Sequence, residues 1–139
     1  MKGFIIILLQ AFVLIAQAQQ EKNAKNELNQ TYTSILKKAK AQNWAYQVIP
    51  AHFENGYRVD KAMTAYTKKY KIVYYFDERN ICESVTVKGG NYYDCEEYHN
   101  YLRTEYGEPD ESYTWTTSVN GHKVQCTLMS DLVTFIWTR

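Results

Sequence analysis

The chain has no excess of charge: 16 Lys and Arg stand against 15 Asp and Glu in 139 residues. A nucleic-acid binder ordinarily shows a basic surplus, so that partner class is disfavoured. Cysteine is sparse. Cys82, Cys95 and Cys126 allow one internal bridge with a residue left over, and no Cys-x-x-Cys suggests redox or zinc chemistry. Gly-x-Ser-x-Gly, His-Glu-x-x-His, the phosphate loop and the dinucleotide fingerprint are all missing. The expectation is therefore a non-enzymatic protein with no catalytic residue, metal or cofactor. Long apolar runs are also lacking after residue 16, so no membrane insertion is expected of the remainder.

The apolar run that is present, Phe4 to Ala16, has the layout of a secretory signal. Lys2 supplies the charged start, and Ala16-Gln17-Ala18 places small residues at the −3 and −1 positions of a peptidase site. A spanning helix needs about 20 apolar residues, whereas this run is shorter and is interrupted by Gln10. No Cys follows it, which argues against a lipoprotein anchor. The reading is a signal peptide over 1–18, cleaved before Gln19, and a single exported domain over 19–139 in the periplasm or outside the cell. Taking 18 residues from 139 leaves 121, one domain's worth.

Periodicity supplies the elements. Leu28, Tyr32, Ile35, Leu36 and Ala39 form one apolar stripe, predicting an amphipathic helix within 21–42. Trp44 and residues 46–49 read as a short strand ended by Pro50. Residues 51–69 hold a turn signal at Asn55-Gly56, and Asp60 is placed to cap a short helix carrying Ala62, Met63 and Tyr66; a loop or a ragged strand fits as well. Residues 70–76 and 81–87 are rich in strand formers. Folding them about Glu78-Arg79 sets Phe76 opposite Ile81, Ile72 opposite Val85 and Tyr70 opposite Val87. The same register sets Tyr74 against Glu83 and Cys82 against Tyr75.

Cys95, Tyr98, Leu102 and Tyr106 mark a second helix over 92–106, with Gly107 and Pro109 as its stop. Asn120-Gly121 is a strong type I′ hairpin signal. It pairs Val119 with His122, Thr117 with Val124, Trp115 with Cys126 and Tyr113 with Leu128. A tight turn at Ser130-Asp131 then pairs Leu128 with Val133, Cys126 with Phe135 and Val124 with Trp137. Both hairpins choose one face, which carries Tyr113, Trp115, Val124, Cys126, Leu128, Val133, Phe135 and Trp137. The expected fold class is α+β: two helices on one face of a largely antiparallel sheet of five to six strands, in the order α-β-ββ-α-βββ. Two helix-then-hairpin units hint at a duplicated layout.

This layout brings Cys82 and Cys126 to the same end of the sheet and makes them the pair to test for a disulfide. The hairpin register turns Cys82 off the core face and opposes it, and three reduced, buried cysteines fit equally well. Cys95 and His99 are four residues apart on one helix, the spacing of a thiolate–imidazole pair or of two zinc ligands, yet no third partner is visible. Thirteen tyrosines are more than one small core can bury. Tyr74, Tyr75, Tyr92, Tyr93 and Tyr101 are the candidates for a binding surface toward a protein or glycan partner.

The strand Tyr74-Tyr75-Phe76-Asp77 before Cys82, and the run Tyr101-Leu102 to Tyr106-Gly107-Glu108-Pro109 followed by Trp115, resemble small exported proteins of unknown function common in Bacteroidetes-type bacteria. The helix-plus-hairpin layout is similar to periplasmic modules of the BamE and β-lactamase-inhibitor types. The resemblance carries no assigned activity; the residues themselves lead to the expectation of an exported, non-enzymatic binding or inhibitor-like module. An envelope assembly component is the alternative, and a small Cys/His hydrolase the remote one.

Overall fold

The computed structural model describes Gln10 and residues 22–139. Apart from Gln10, the expected signal peptide and its cleavage point lie outside the described residues. After a 3₁₀ turn at Ala24–Glu27 the elements are α1 (Tyr32–Ala41), β1 (Ala45–Ile49), β2 (His52–Glu54), β3 (Tyr57–Val59), β4 (Lys61–Tyr66), β5 (Tyr70–Phe76), β6 (Cys82–Gly89), α2 (Tyr92–Tyr106), β7 (Thr114–Val119), β8 (His122–Leu128) and β9 (Thr134–Thr138). Seven strands form one antiparallel sheet in the order β1-β4-β5-β6-β9-β8-β7, and β2–β3 is a separate hairpin.

The fold class is thus α+β as expected, with more strands. Of the readings open for the segment 61–66, the structure takes the strand and not the capped helix. Its residues Ala62 to Ala65 are all buried, on both faces of the sheet, a demand that a short one-sided helix cannot meet. Asn55-Gly56 closes β2 onto β3, with both residues at positive φ as a type I′ turn requires.

The apolar stripe of the first predicted helix is buried as expected, with Leu28, Ile35 and Ala39 in the core, but the helix is broken. The backbone turns left-handed at Asn29, and Thr31 then caps α1 by accepting a hydrogen bond from the Ser34 amide. The core lies between the helices and one face of the sheet, with Trp115, Trp137, Tyr98, Phe76 and Phe135 as its largest members. Across its centre the Trp137 indole N–H donates to the Tyr98 hydroxyl at 2.9 Å.

Two registers differ from the sequence reading. Ile72 faces Val87 and Tyr74 faces Val85, while Phe76 faces Cys82 across a bulge that leaves Glu83 unpaired. The shift removes the clash of Tyr74 with Glu83, and the bulge returns Cys82 to the core face, where it is fully buried. On β8–β9, Cys126 faces Trp137 and Leu128 faces Phe135, two residues out from the tight-turn register. The β7–β8 pairs stand as expected, Trp115 with Cys126 and Val119 with His122. A two-residue slip keeps each side chain on its face, so the buried set survives except for Tyr113.

The opposite face carries no helix. One register row crosses all seven strands through Gln47, Thr64, Val73, Thr86, Ile136, Thr127 and Thr114. The next row runs Ile49, Ala62, Tyr75, Ser84, Thr138, Gln125 and Thr116. Neither row contains a charge.

Helix α2 is seated by a close approach. A Cβ on Gly89 would collide with the Cys95 Sγ, and the Gly89 amide donates to the Val133 carbonyl. Gly89→Ala is expected to cost about 1–3 kcal/mol through overpacking at this contact. Urea unfolding would show it as a lowered midpoint; an unchanged midpoint would mean the helix can shift freely.

Candidate functional site

The sequence-derived tyrosines do not form one patch. Tyr74 is a core residue, 2 % exposed, because it alternates with Ile72 and Phe76 on the β5 face turned toward the helices. The half-buried Tyr101 donates its hydroxyl to Asn23 Oδ1 at 3.0 Å and packs on Tyr98. Tyr75 is exposed on the helix-free face. Tyr92 and Tyr93 are exposed at the start of α2.

The Cys82–Cys126 bridge is not formed; both are free, buried thiols. Strand β9 runs between β6 and β8, and Trp137 faces both Val85 and Cys126. Two strand spacings are about 10 Å, beyond the roughly 7 Å limit between the Cα atoms of a disulfide. Burial raises both thiols, Cys82 up to about 12 and Cys126 further.

Helix α2 meets the turns of the β7–β8–β9 meander at a cleft of about 310 Å³. Tyr92, Cys95, His99 and Arg103 line it from the helix, at spacings that share one helical face. Phe135 and Leu128 form the floor, and Tyr113 and Leu132 complete the rim. Helical periodicity therefore does bring Cys95 and His99 into one concavity. Their electrostatics do not suit nucleophilic chemistry. Burial raises the Cys95 thiol, which donates to the Val133 carbonyl at 3.6 Å rather than to His99. A thiol held protonated is a weak nucleophile.

His99 is a neutral packing group. Its ring meets Trp115 edge-on at 5.3 Å, and its buried Nε2 has no hydrogen-bond partner. Burial and then the Arg103 charge hold its pKa below 6.5, with Glu108 opposing. As pH falls, the unfolded chain takes this proton first. The stability supplied by neutral His99 is therefore complete above about pH 6.5 and is lost as pH falls through the lower folded-state value. His99→Gln is expected to flatten the decline of the urea midpoint between about pH 7 and pH 5. An unaltered pH profile would assign that decline to other groups.

The rim was missed by pattern reading, because its signal is a backbone angle. Among the described residues, seven non-glycine positions have positive φ; five are Asn, which tolerates it, and the other two are Tyr113 (φ 53°) and Leu132 (φ 58°). Three turns share one construction. Asn80, Tyr113 and Leu132 each donate their amide to the carbonyl three residues back, from Asp77, Asp110 and Met129, and each then turns left-handed. Asp77, Asp110 and Asp131 brace these turns, each Oδ1 accepting two backbone N–H groups. Asn80 fills the position with an accommodating residue. Tyr113 and Leu132 fill it with bulky ones, 56 % and 61 % exposed, and both stand on the cleft rim.

A second concavity, about 650 Å³, lies on the helix-free face where the β2–β3 hairpin rises over β4 and β5. Thr64, Val73, Tyr75 and Ser84 form its base, with Arg58 and Asp60 on the hairpin side. Arg58 is tied to Asp60 at 3.0 Å and to Glu78 at 2.8 Å.

Among the described residues no cluster of side chains could hold a metal ion, and no helix is long and apolar enough to cross a membrane. Comparison with protein-family models, with curated proteins and with solved structures gives no match.

Proposed function

We propose that this chain is an exported, non-enzymatic binding module that holds its partner in the cleft between α2 and the turns at Tyr113 and Leu132. The observation that carries the reading is the pair of strained rim residues. A left-handed backbone costs a bulky L-residue about 1–2 kcal/mol, and strain of this kind gathers at ligand-holding sites. Glycine or asparagine would make the same turns without that cost, as Asn80 does. What Tyr113 and Leu132 add is apolar surface at the mouth of a cleft floored by Phe135 and Leu128. An apolar or aromatic side chain of a partner protein suits that floor. Inhibitor-like capture fits this arrangement, and export follows from the signal-like residues 1–18.

A photo-crosslinking amino acid placed at Leu132, in protein produced by the native host, tests the site. One recurrent adduct in envelope or medium fractions is expected from Leu132 and from Tyr113, and none from Thr116 on the helix-free face. Adducts spread evenly over the three positions would reject the cleft.

A further inference from the structure

We propose that the helix-free face of the sheet, walled at one end by the β2–β3 hairpin, is a platform for a neutral oligosaccharide. The composition of that face is the starting point. Its two central rows cross the whole sheet, about 29 Å at ordinary strand spacing, without a single charged side chain. In a protein with 22 % charged residues, a surface of that extent is expected to carry several. What it carries instead is hydroxyl and amide: Thr86, Thr127, Ser84 and Gln125, with the buried Thr64 and apolar neighbours between. Such groups donate and accept with equal ease, which matches the hydroxyls of a sugar. Charges stand beside these rows, with Lys71 and Lys88 in the adjoining row and Glu83 at the bulge, but none lies within them.

The face also has stacking surfaces. Tyr75 stands between Ala62 and Ser84 in its row, so small neighbours leave its ring open. Tyr66 lies on the same face, opposite Lys71. Four residues of β5 separate that position from Tyr75, about 13 Å at the usual strand rise. The row containing Thr64 and Val73 lies between the two rings. A short oligosaccharide laid along β5 would stack at each end and meet the Thr86 and Ser84 hydroxyls of β6 alongside. The hairpin closes one side of this track, and Arg58, held by Asp60 and Glu78, fixes the wall without presenting a free cation. A second copy of the chain is the other occupant such a neutral face could take, and the experiment separates the two.

The test is affinity electrophoresis of the intact exported chain through gels holding neutral glucan, xylan or mannan, with polygalacturonate as the acidic control. Retardation by at least one neutral polysaccharide is expected, with at least tenfold weakening in Tyr75→Ala and retention in Tyr75→Phe. Thr86→Glu, which places a charge in the central row, is expected to weaken it as well. Leu132→Gly is expected to leave it unchanged, so failure here and failure of the cleft reading are distinguishable. The proposal is overturned by no retardation in any neutral gel, by retardation in the acidic gel alone, or by full binding in Tyr75→Ala. A dimer in light scattering that Thr86→Glu dissociates would give the face to a second copy and overturn it too.

Discussion

Replacing Tyr113 and Leu132 together by glycine is expected to make the protein more stable and unable to hold its partner. Each substitution relieves about 1–2 kcal/mol of left-handed strain. Glycine returns about 0.5–1 kcal/mol of that to the unfolded chain as entropy. The net gain is roughly 0.5–1 kcal/mol per site and roughly double for the pair, because the two turns are separate and their effects should add. Little packing is lost, since both side chains are more than half exposed. Capture by the cleft should fall at least tenfold, about 1.4 kcal/mol, with the apolar rim gone. Urea midpoints and crosslinking yield would be measured on the same samples. Stabilisation with binding intact would show that the strain serves no ligand. Destabilisation would show that the rim side chains pack more than their exposure suggests.

The second large effect concerns the centre of the core. Tyr98→Phe is expected to destabilise the fold by about 1–3 kcal/mol, since the Trp137 indole N–H is then buried without a partner. Trp137→Ala is expected to cost about 3–5 kcal/mol, because it also opens a cavity beside Phe135 and Cys126. A domain of this size has a total stability on the order of 5–15 kcal/mol, so the second variant should be partly unfolded at moderate temperature. A double-mutant cycle with Trp137→Phe would isolate the hydrogen bond. Tyr98→Phe should cost far less in that background, where no N–H is left to satisfy. An equal cost in both backgrounds would mean that the tyrosine hydroxyl, not the indole, sets the penalty.

Much of the fold is legible along the chain, and its errors have local causes. Asn120-Gly121 admits one tight turn, so the β7–β8 pairing follows from two residues and is the register that matched throughout. The β5–β6 and β8–β9 turns were misjudged because Asp77 and Asp131 brace longer loops than polar composition suggests. Strand β4 was hidden because Ala62 to Ala65 are buried on both faces and so lack a strand's alternation. The candidate site was less legible. Spacing along α2 placed Cys95 and His99 on one face, and alternation along β5 sends Tyr74 inward with Ile72 and Phe76 and Tyr75 outward. The exposure of Tyr92 and Tyr93 and the half-burial of Tyr101 needed the packed structure.

By itself the sequence determined what depends on neighbours in the chain: the amphipathic helices, the I′ hairpins and which strand residues share a face. Those follow from local sterics and from the periods of helix and strand, and they survive a register slip of two residues. Only the tertiary structure decided what depends on distant segments meeting. It placed β9 between the two cysteines, seated α2 on Gly89, and held Tyr113 and Leu132 at a cleft mouth in a backbone conformation that no residue pattern announces. It also left two rows of one sheet face without a charge or a covering helix, because that face exists only once seven strands from across the chain lie side by side.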